Sequence, residues 1–189
     1  MNDSDRFETA FRLIDDAEFL LADNRSTSAY LLLTAALEEV GKYYLQALST
    51  KPKNNHAAKL EAVGKVAWFM ATFESVMDDD GKAVATHSRV DDVNRYTFDD
   101  PQQFGELIAE KMQKDPSRWQ TILPLLNGIA RRRKNAALYQ ENTEPRPDQT
   151  EVEALLSETR YLTEAASLKR FPRSLYAKLI ELEGRTKQS

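Results

Sequence analysis

The sequence has no cysteine and only two histidines, at positions 56 and 87. Without cysteine the chain forms no disulfide and has no thiolate nucleophile, and two histidines alone argue against a zinc site. Neither histidine has a glutamate three residues before it, so the Glu-x-x-His pairs of a carboxylate-bridged di-iron bundle are missing as well. We therefore predict a protein that uses neither a metal nor a cofactor.

Glycine and proline are scarce too, with 6 and 7 among 189 residues. The glycines are isolated from one another, which excludes a glycine-rich phosphate loop. The longest apolar run, residues 29–33, is too short to cross a bilayer. The polar start of the chain, from Asn2 to Arg6, does not resemble a signal peptide. These features predict a cytoplasmic protein with no membrane partner.

Positive charge is in the minority, since 26 Lys and Arg face 30 Asp and Glu for a net charge of −4. This balance argues against a general nucleic-acid coat, which requires a basic surface overall. The charges are nonetheless clustered, with acid concentrated in residues 74–100 and four consecutive cations at 131–134. Because the acidic segment would repel a polyanion, we expect the two regions to have different roles.

Apolar residues recur at helical spacing along most of the chain, and no strand-like alternation persists. The pattern predicts seven helices, over residues 5–23, 27–48, 56–77, 101–113, 115–139, 150–168 and 172–183. Pro124 is expected to kink the fifth helix or to begin a fresh turn in it, and residues 144–148 to form a rigid exposed linker. The predicted fold is all-α, a bundle of five to seven helices in a single domain (1–189). Its core spans 5–140, and its C-terminal helices lie within 150–185.

The second predicted helix is apolar nearly all round, which indicates a central position in the bundle. Its charged residues, Glu38, Glu39 and Lys42, should then be partly buried and paired, because burying a lone carboxylate costs several kcal/mol. One interpretation is an ordinary i, i+4 pair between Glu38 and Lys42. The other is that Glu38 or Glu39 orients a cation from another helix.

The basic helix has two faces. Arg133 lies in the middle of the arc that must face the core, so it should meet a buried carboxylate, for which we prefer Glu39 to Glu38. The opposite, exposed face carries Arg131, Arg132, Asn135, Leu138 and Tyr139. An exposed leucine among arginines suggests contact with a partner, including a second copy of the chain. The alternative is a solvated basic face near a helix C-terminus, where cations favourably meet the macrodipole.

Three segments together resemble the AbiV-type branch of the HEPN superfamily (higher eukaryotes and prokaryotes nucleotide-binding). They are Ala36-Leu37-Glu38-Glu39-Val40-Gly41-Lys42, His56-x-x-Lys59-Leu60, and the basic run that ends in Leu138-Tyr139. The resemblance covers residues 5–140 and implies a dimeric helical bundle. Many members of the superfamily are metal-independent ribonucleases of toxin–antitoxin, CRISPR and antiphage systems. AbiV-type members are associated with abortive infection, in which an infected bacterium arrests its own physiology.

The family's site resembles Arg-Asn-x-x-x-His and falls here on Lys134-Asn135-Ala136-Ala137-Leu138-Tyr139. The spacing and the asparagine match, whereas lysine replaces arginine and tyrosine replaces histidine. Metal-free RNA cleavage needs a base for the 2′-hydroxyl, an acid for the leaving 5′-oxygen and cations beside the phosphate. A phenol is a poor base near neutral pH, so Tyr139 is better suited to act as the acid. Lys134 would stabilise charge and Asn135 would orient the phosphate.

Two conditions follow from this assignment. Lys134 and Tyr139 are about 140° apart on a regular helix, so only a two-fold dimer could bring them to one phosphate. The base also has to come from elsewhere, and His56 is the candidate if folding brings it close. A lone histidine at a helix start is otherwise most often a cap or a surface residue. In this assignment Arg131 and Arg132 bind the substrate, and Glu39 and Arg133 support the site.

The leading functional hypothesis is an antiphage abortive-infection effector that acts on RNA or on translation, with metal-independent endoribonuclease activity as its form on RNA. The alternative is a non-catalytic module that binds RNA, a nucleotide or a protein, such as a phage protein or an antitoxin. A third hypothesis is a partner of a nucleotidyltransferase in which Tyr139 accepts the nucleotide. The first requires a homodimer.

Overall fold

The computed structural model describes residues 3–48, 55–73, 101–139 and 145–168. Within these ranges the chain forms seven helices and no strand, which confirms the all-α prediction. The helices are α1 (Asp3–Ala22), α2 (Ser26–Leu48), α3 (His56–Phe73), α4 (Pro101–Lys114), α5 (Pro116–Leu126), α6 (Ile129–Tyr139) and α7 (Gln149–Ser167). None of them is long and apolar enough to cross a membrane.

Helix α2 lies at the centre of the bundle, as predicted. It packs against α1, α3, α6 and α7, and its buried side chains surround the helix rather than following one stripe. Helix α1, by contrast, buries one residue every three or four positions: Phe7, Ala10, Ile14, Ala17 and Leu21. The two helices are joined by a tight turn in which Asn24 adopts a left-handed backbone conformation (φ 57°), and asparagine tolerates this region better than most residues.

The helix predicted over 115–139 is interrupted, but not at Pro124. The chain forms α5 and α6 instead, and the break lies at Asn127 and Gly128, where Gly128 has φ 69°. This conformation is strained for a residue with a Cβ and readily adopted by glycine. Pro124, the expected kink, lies inside α5. The start of the helix is as predicted, since the Asp115 side chain accepts a hydrogen bond from the Arg118 backbone N–H.

The segment before α7 is only partly the exposed linker that the sequence predicts. Pro145 and Arg146 are exposed, but Pro147 is buried. Asp148 then caps α7 in a capping box with Glu151, so the segment is anchored at the helix start. The predictions for residues 74–100, for His87 and for a last helix over 172–183 lie outside the described residues.

Candidate functional site

The candidate site lies where α2, α3 and α6 meet, around the carboxylate of Glu38. Glu38 is 6% exposed, in the middle of the central helix. One of its oxygens, Oε2, lies 2.6 Å from Nδ1 of His56 at the start of α3. The other, Oε1, lies 2.6 Å from Nζ of Lys134 on α6. Two residues far apart in the sequence thus contact one buried carboxylate, and we call Glu38, His56 and Lys134 the Glu38 cluster.

Close packing of α2 on α3 brings His56 to Glu38. A Cβ added at Gly41 would lie 2.5 Å from the carbonyl oxygen of Lys59, one turn after His56. Only glycine therefore allows this approach of the two backbones. Asn55, which directly precedes α3, stabilises the first turn of the helix: its side chain accepts the Ala58 N–H at 2.8 Å. Asn55 is the cap of this helix, which leaves the His56 imidazole available.

The imidazole of His56 is held on one side and open on the other. A carboxylate only accepts hydrogen bonds, so Nδ1 donates to Glu38 and the neutral ring carries its lone pair on Nε2. The His56 side chain is 69% exposed, although its partner is buried. A carboxylate that fixes the tautomer and orientation of a solvent-facing imidazole is the arrangement that general-base histidines use.

Lys134 is directed inward rather than toward a substrate. Its side chain is 15% exposed, and its ammonium is paired with Glu38. This geometry agrees with the interpretation that a glutamate of the second helix orients a cation from another helix. It also means that part of the charge expected to stabilise a phosphate is already compensated by the protein.

The expected partners of Arg133, Glu39 and Lys42 are wrong. Arg133 donates from Nη1 to Glu151 of α7 at 3.3 Å, and it borders a cavity of about 110 Å³ between α5, α6 and α7. Glu39, preferred as its partner, pairs with Lys42 instead, so the predicted pair between Glu38 and Lys42 is also absent. The supporting residues therefore form two separate pairs beside the Glu38 cluster and not one chain of contacts.

The exposed side of α6 has the composition that the sequence predicts, and we call it the basic face. Its members are Arg131, Arg132, Asn135, Leu138 and Tyr139, all of them exposed. Leu138 is 51% and Tyr139 71% exposed, which is high for residues of this size. Lys134 and Tyr139 are thus on different sides of α6, as the helical projection requires. Within one chain, Lys134 is therefore paired inside the bundle while Tyr139 faces solvent.

The structure contains a buried ion pair between α5 and α7 that the sequence did not predict. Arg118 Nε donates to Glu158 Oε2 at 2.9 Å, and the Arg118 guanidinium lies 4.9 Å from the centroid of the Tyr161 ring. Its only signal in the sequence is one glutamate among the apolar positions of α7. No such signal predicted the contact between His56 and Glu38, because it depends on how closely α2 approaches α3.

In the part of the chain that the structure describes, no group of three or more acidic or histidine side chains is placed to hold a metal ion. Searches with family models, among curated proteins and among solved structures found no match to the chain.

Proposed function

We propose that this protein is a metal-independent RNA-cleaving effector of HEPN type with an antiphage, abortive-infection role. The observation that supports catalysis is the 2.6 Å contact between buried Glu38 and exposed His56. It supplies the base that the family-like motif on α6 lacks, since that motif has tyrosine where the family has histidine. Helix α6 packs against the same central helix. Its basic face, on the exposed side, supplies cations for an anionic strand.

In the proposed reaction, Nε2 of His56 accepts the proton of a 2′-hydroxyl as its oxygen attacks the adjacent phosphorus. The O2′–P bond forms and the P–O5′ bond breaks, which leaves a 2′,3′-cyclic phosphate and a 5′-hydroxyl. Glu38 keeps the imidazole in the required tautomer and stabilises the imidazolium that forms. Lys134 holds Glu38 in place from the other side.

The leaving 5′-oxygen needs a proton, and Tyr139 is the proposed donor. Because Tyr139 is on the exposed face of α6 and Lys134 on the inner side, the donor comes from a second copy of the chain. Exposed Leu138 provides an apolar contact for such a homodimer. Asn135, Arg131 and Arg132 of the basic face would then contact the phosphates on either side of the cleaved bond.

The second candidate function is a non-catalytic module that binds RNA, a nucleotide or a protein partner. The pairing of Lys134 with Glu38 favours it, because that cation is already engaged inside the protein. In this case charge reversal at Arg131 and Arg132 abolishes binding, whereas changes at His56 and Tyr139 leave binding intact.

The experiment that separates the two is an RNA cleavage assay in EDTA with total cellular RNA. It compares the wild type with His56→Gln and Tyr139→Phe, purified in the same way. Catalysis predicts cleavage by the wild type that leaves 2′,3′-cyclic phosphate ends. The rate should fall on the order of 100-fold or more in His56→Gln, since general base catalysis contributes about 10²–10⁴-fold. Circular dichroism of both variants checks that the helices are intact.

Equal cleavage by the wild type and His56→Gln would contradict the catalytic role of His56. Cleavage by neither, together with RNA binding that depends on Arg131 and Arg132, would favour the binding module. The defence role derives from the family resemblance and has its own test. Bacteria that produce the wild type should release fewer phage than bacteria that produce His56→Gln, and equal yields would contradict it.

A further inference from the structure

Among the residues that the structure describes, Lys59 is a buried cation without a carboxylate at ion-pair distance. The residue is 8% exposed, and none of the acidic side chains in the described ranges lies within 4.0 Å of its ammonium. The other inward-directed cations of the bundle do have such partners, as Lys134 pairs with Glu38 and Arg118 with Glu158. Burying a charged side chain without a partner is costly, so the ammonium of Lys59 has to reach either solvent or an anion.

The side chain of Lys59 is enclosed along its stem and open at its end. The backbone of Lys59 and its Cβ pack against Gly41 of α2. Its Nζ is not among the fully enclosed nitrogen and oxygen atoms that lack a hydrogen bond, so it keeps some contact with solvent. A lysine with an aliphatic stem in the protein and its charge at the surface is free to meet an anion from outside.

Lys59 and His56 are neighbours on the first turn of α3. Residues three apart on a helix lie on the same side, and both residues contact α2: His56 through Glu38 and Lys59 through Gly41. The first turn of α3 therefore presents an oriented imidazole and an uncompensated ammonium together. Its backbone N–H groups add the positive end of the helix dipole.

We infer that Lys59 binds the phosphate group of a single-stranded RNA beside His56, in place of the inward-directed Lys134. The inference rests on the proposed function for the identity of the ligand. It assigns a substrate-binding residue to α3, outside the basic run of α6. A free nucleotide presents the same phosphate, and the two sources differ in the number of phosphates that contact the protein.

The test is the salt dependence of binding to a 2′-fluoro RNA oligonucleotide, which has no 2′-hydroxyl and is not cleaved by the proposed reaction. Binding is followed by fluorescence anisotropy between low and high salt for the wild type and Lys59→Met. Methionine retains the buried stem and removes the charge. Loss of one phosphate contact should lower the slope of log K against log salt by about 0.7 and weaken binding about fivefold at 0.1 M salt.

The matched control is Lys65→Met, which removes the same charge from the same helix. Lys65 is paired with Glu61, so its loss should leave the slope unchanged. A second arm adds a mononucleotide as competitor. Displacement of the oligonucleotide only at much higher nucleotide concentration is expected if several phosphates of a strand are bound, and equal affinity would identify the free nucleotide as the ligand and overturn the RNA assignment.

The outcomes separate this inference from the proposed function. If the wild type cleaves RNA and Lys59→Met has the slope of the wild type, the inference is overturned and the catalytic proposal stands. If Lys59→Met lowers the slope but the wild type does not cleave, the inference stands and catalysis is overturned. If the wild type does not bind the oligonucleotide, the inference is overturned, and the cleavage assay alone decides the catalytic proposal.

Discussion

Two glutamates of this bundle are equally buried, at 6% exposed, yet their surroundings differ. Glu158 on α7 meets Arg118, whose side chain is 14% exposed and lies over an aromatic ring, so most of this pair is enclosed by the protein. Glu38 on α2 meets Lys134 inside the protein and His56 at the surface. Glu158 therefore connects two helices, whereas Glu38 connects the interior to a solvent-facing imidazole.

The comparison shows why burial of a charge alone does not identify a site. Buried ion pairs are weak evidence for stability as well as for function, since desolvation offsets most of their attraction. What distinguishes Glu38 is its second partner, which has a free nitrogen in contact with solvent. We therefore expect changes at Glu38 to affect activity and changes at Glu158 to affect stability.

The largest expected effect is on activity in Glu38→Gln. The amide no longer fixes the tautomer of His56 or stabilises its protonated form, so RNA cleavage should fall about 100-fold or more. Initial rates in EDTA measure this effect. The matched control is Glu158→Gln, in which the folded fraction should cleave at the wild-type rate. Equal losses in both variants would mean that the Glu38 cluster is only structural.

The same control variant should show the largest effect on stability. Glu158→Gln leaves the guanidinium of Arg118 buried without its carboxylate, which costs about 3–5 kcal/mol in other buried pairs. Urea unfolding followed by circular dichroism measures it. A loss below about 1 kcal/mol would show that solvent or other groups compensate Arg118 and that the pair is not enclosed as described.

A third comparison uses two glycines of tight helix contacts. A Cβ at Gly41 would clash with α3 beside His56, and a Cβ at Gly64 would lie 2.9 Å from the backbone of α5. Each substitution by alanine should cost about 1–3 kcal/mol of stability. Only Gly41→Ala should also reduce cleavage, because it displaces the first turn of α3 from Glu38. A similar cleavage rate in the two variants would contradict the positioning role of Gly41.

The smallest expected effect is a loss of stability at alkaline pH that depends on the buried side chain of Tyr44. The Tyr44 hydroxyl donates to the Leu162 carbonyl oxygen at 2.8 Å, and burial raises the pKa of this phenol well above its ordinary value. An unfolded tyrosine loses its proton near pH 10 while Tyr44 keeps it in the native state, so stability should fall as pH rises above about 10. Tyr44→Phe should lose about 1 kcal/mol at neutral pH and show less of this alkaline decline.

The parts of the fold that depend on periodicity could be predicted from the sequence. The all-round apolar character of α2 correctly indicated a central helix. The ends of α2 and α7 were within one residue of the prediction, because turn residues and caps mark them. The spacing of apolar residues indicates which side of a helix is buried, and the helices of this bundle all bury apolar side chains.

The partners of the charged residues could not be predicted in the same way. The projection correctly put Arg133 on the inner side of α6, where its side chain is 16% exposed, but it could not say which carboxylate Arg133 meets. Arg133 pairs with Glu151 of α7, and Lys134 pairs with Glu38. The contact of His56 depends on the separation of two helix axes, which Gly41 permits but no local pattern specifies.

The most direct measurement is chemical rescue of His56→Ala by free imidazole in the EDTA cleavage assay. If His56 is the base, the variant should be inactive and imidazole should restore part of the cleavage with the same 2′,3′-cyclic phosphate ends. No comparable rescue is expected for Tyr139→Phe, which keeps its histidine. If His56→Ala cleaves RNA at the wild-type rate without imidazole, the oriented histidine is not the base and the central claim is wrong.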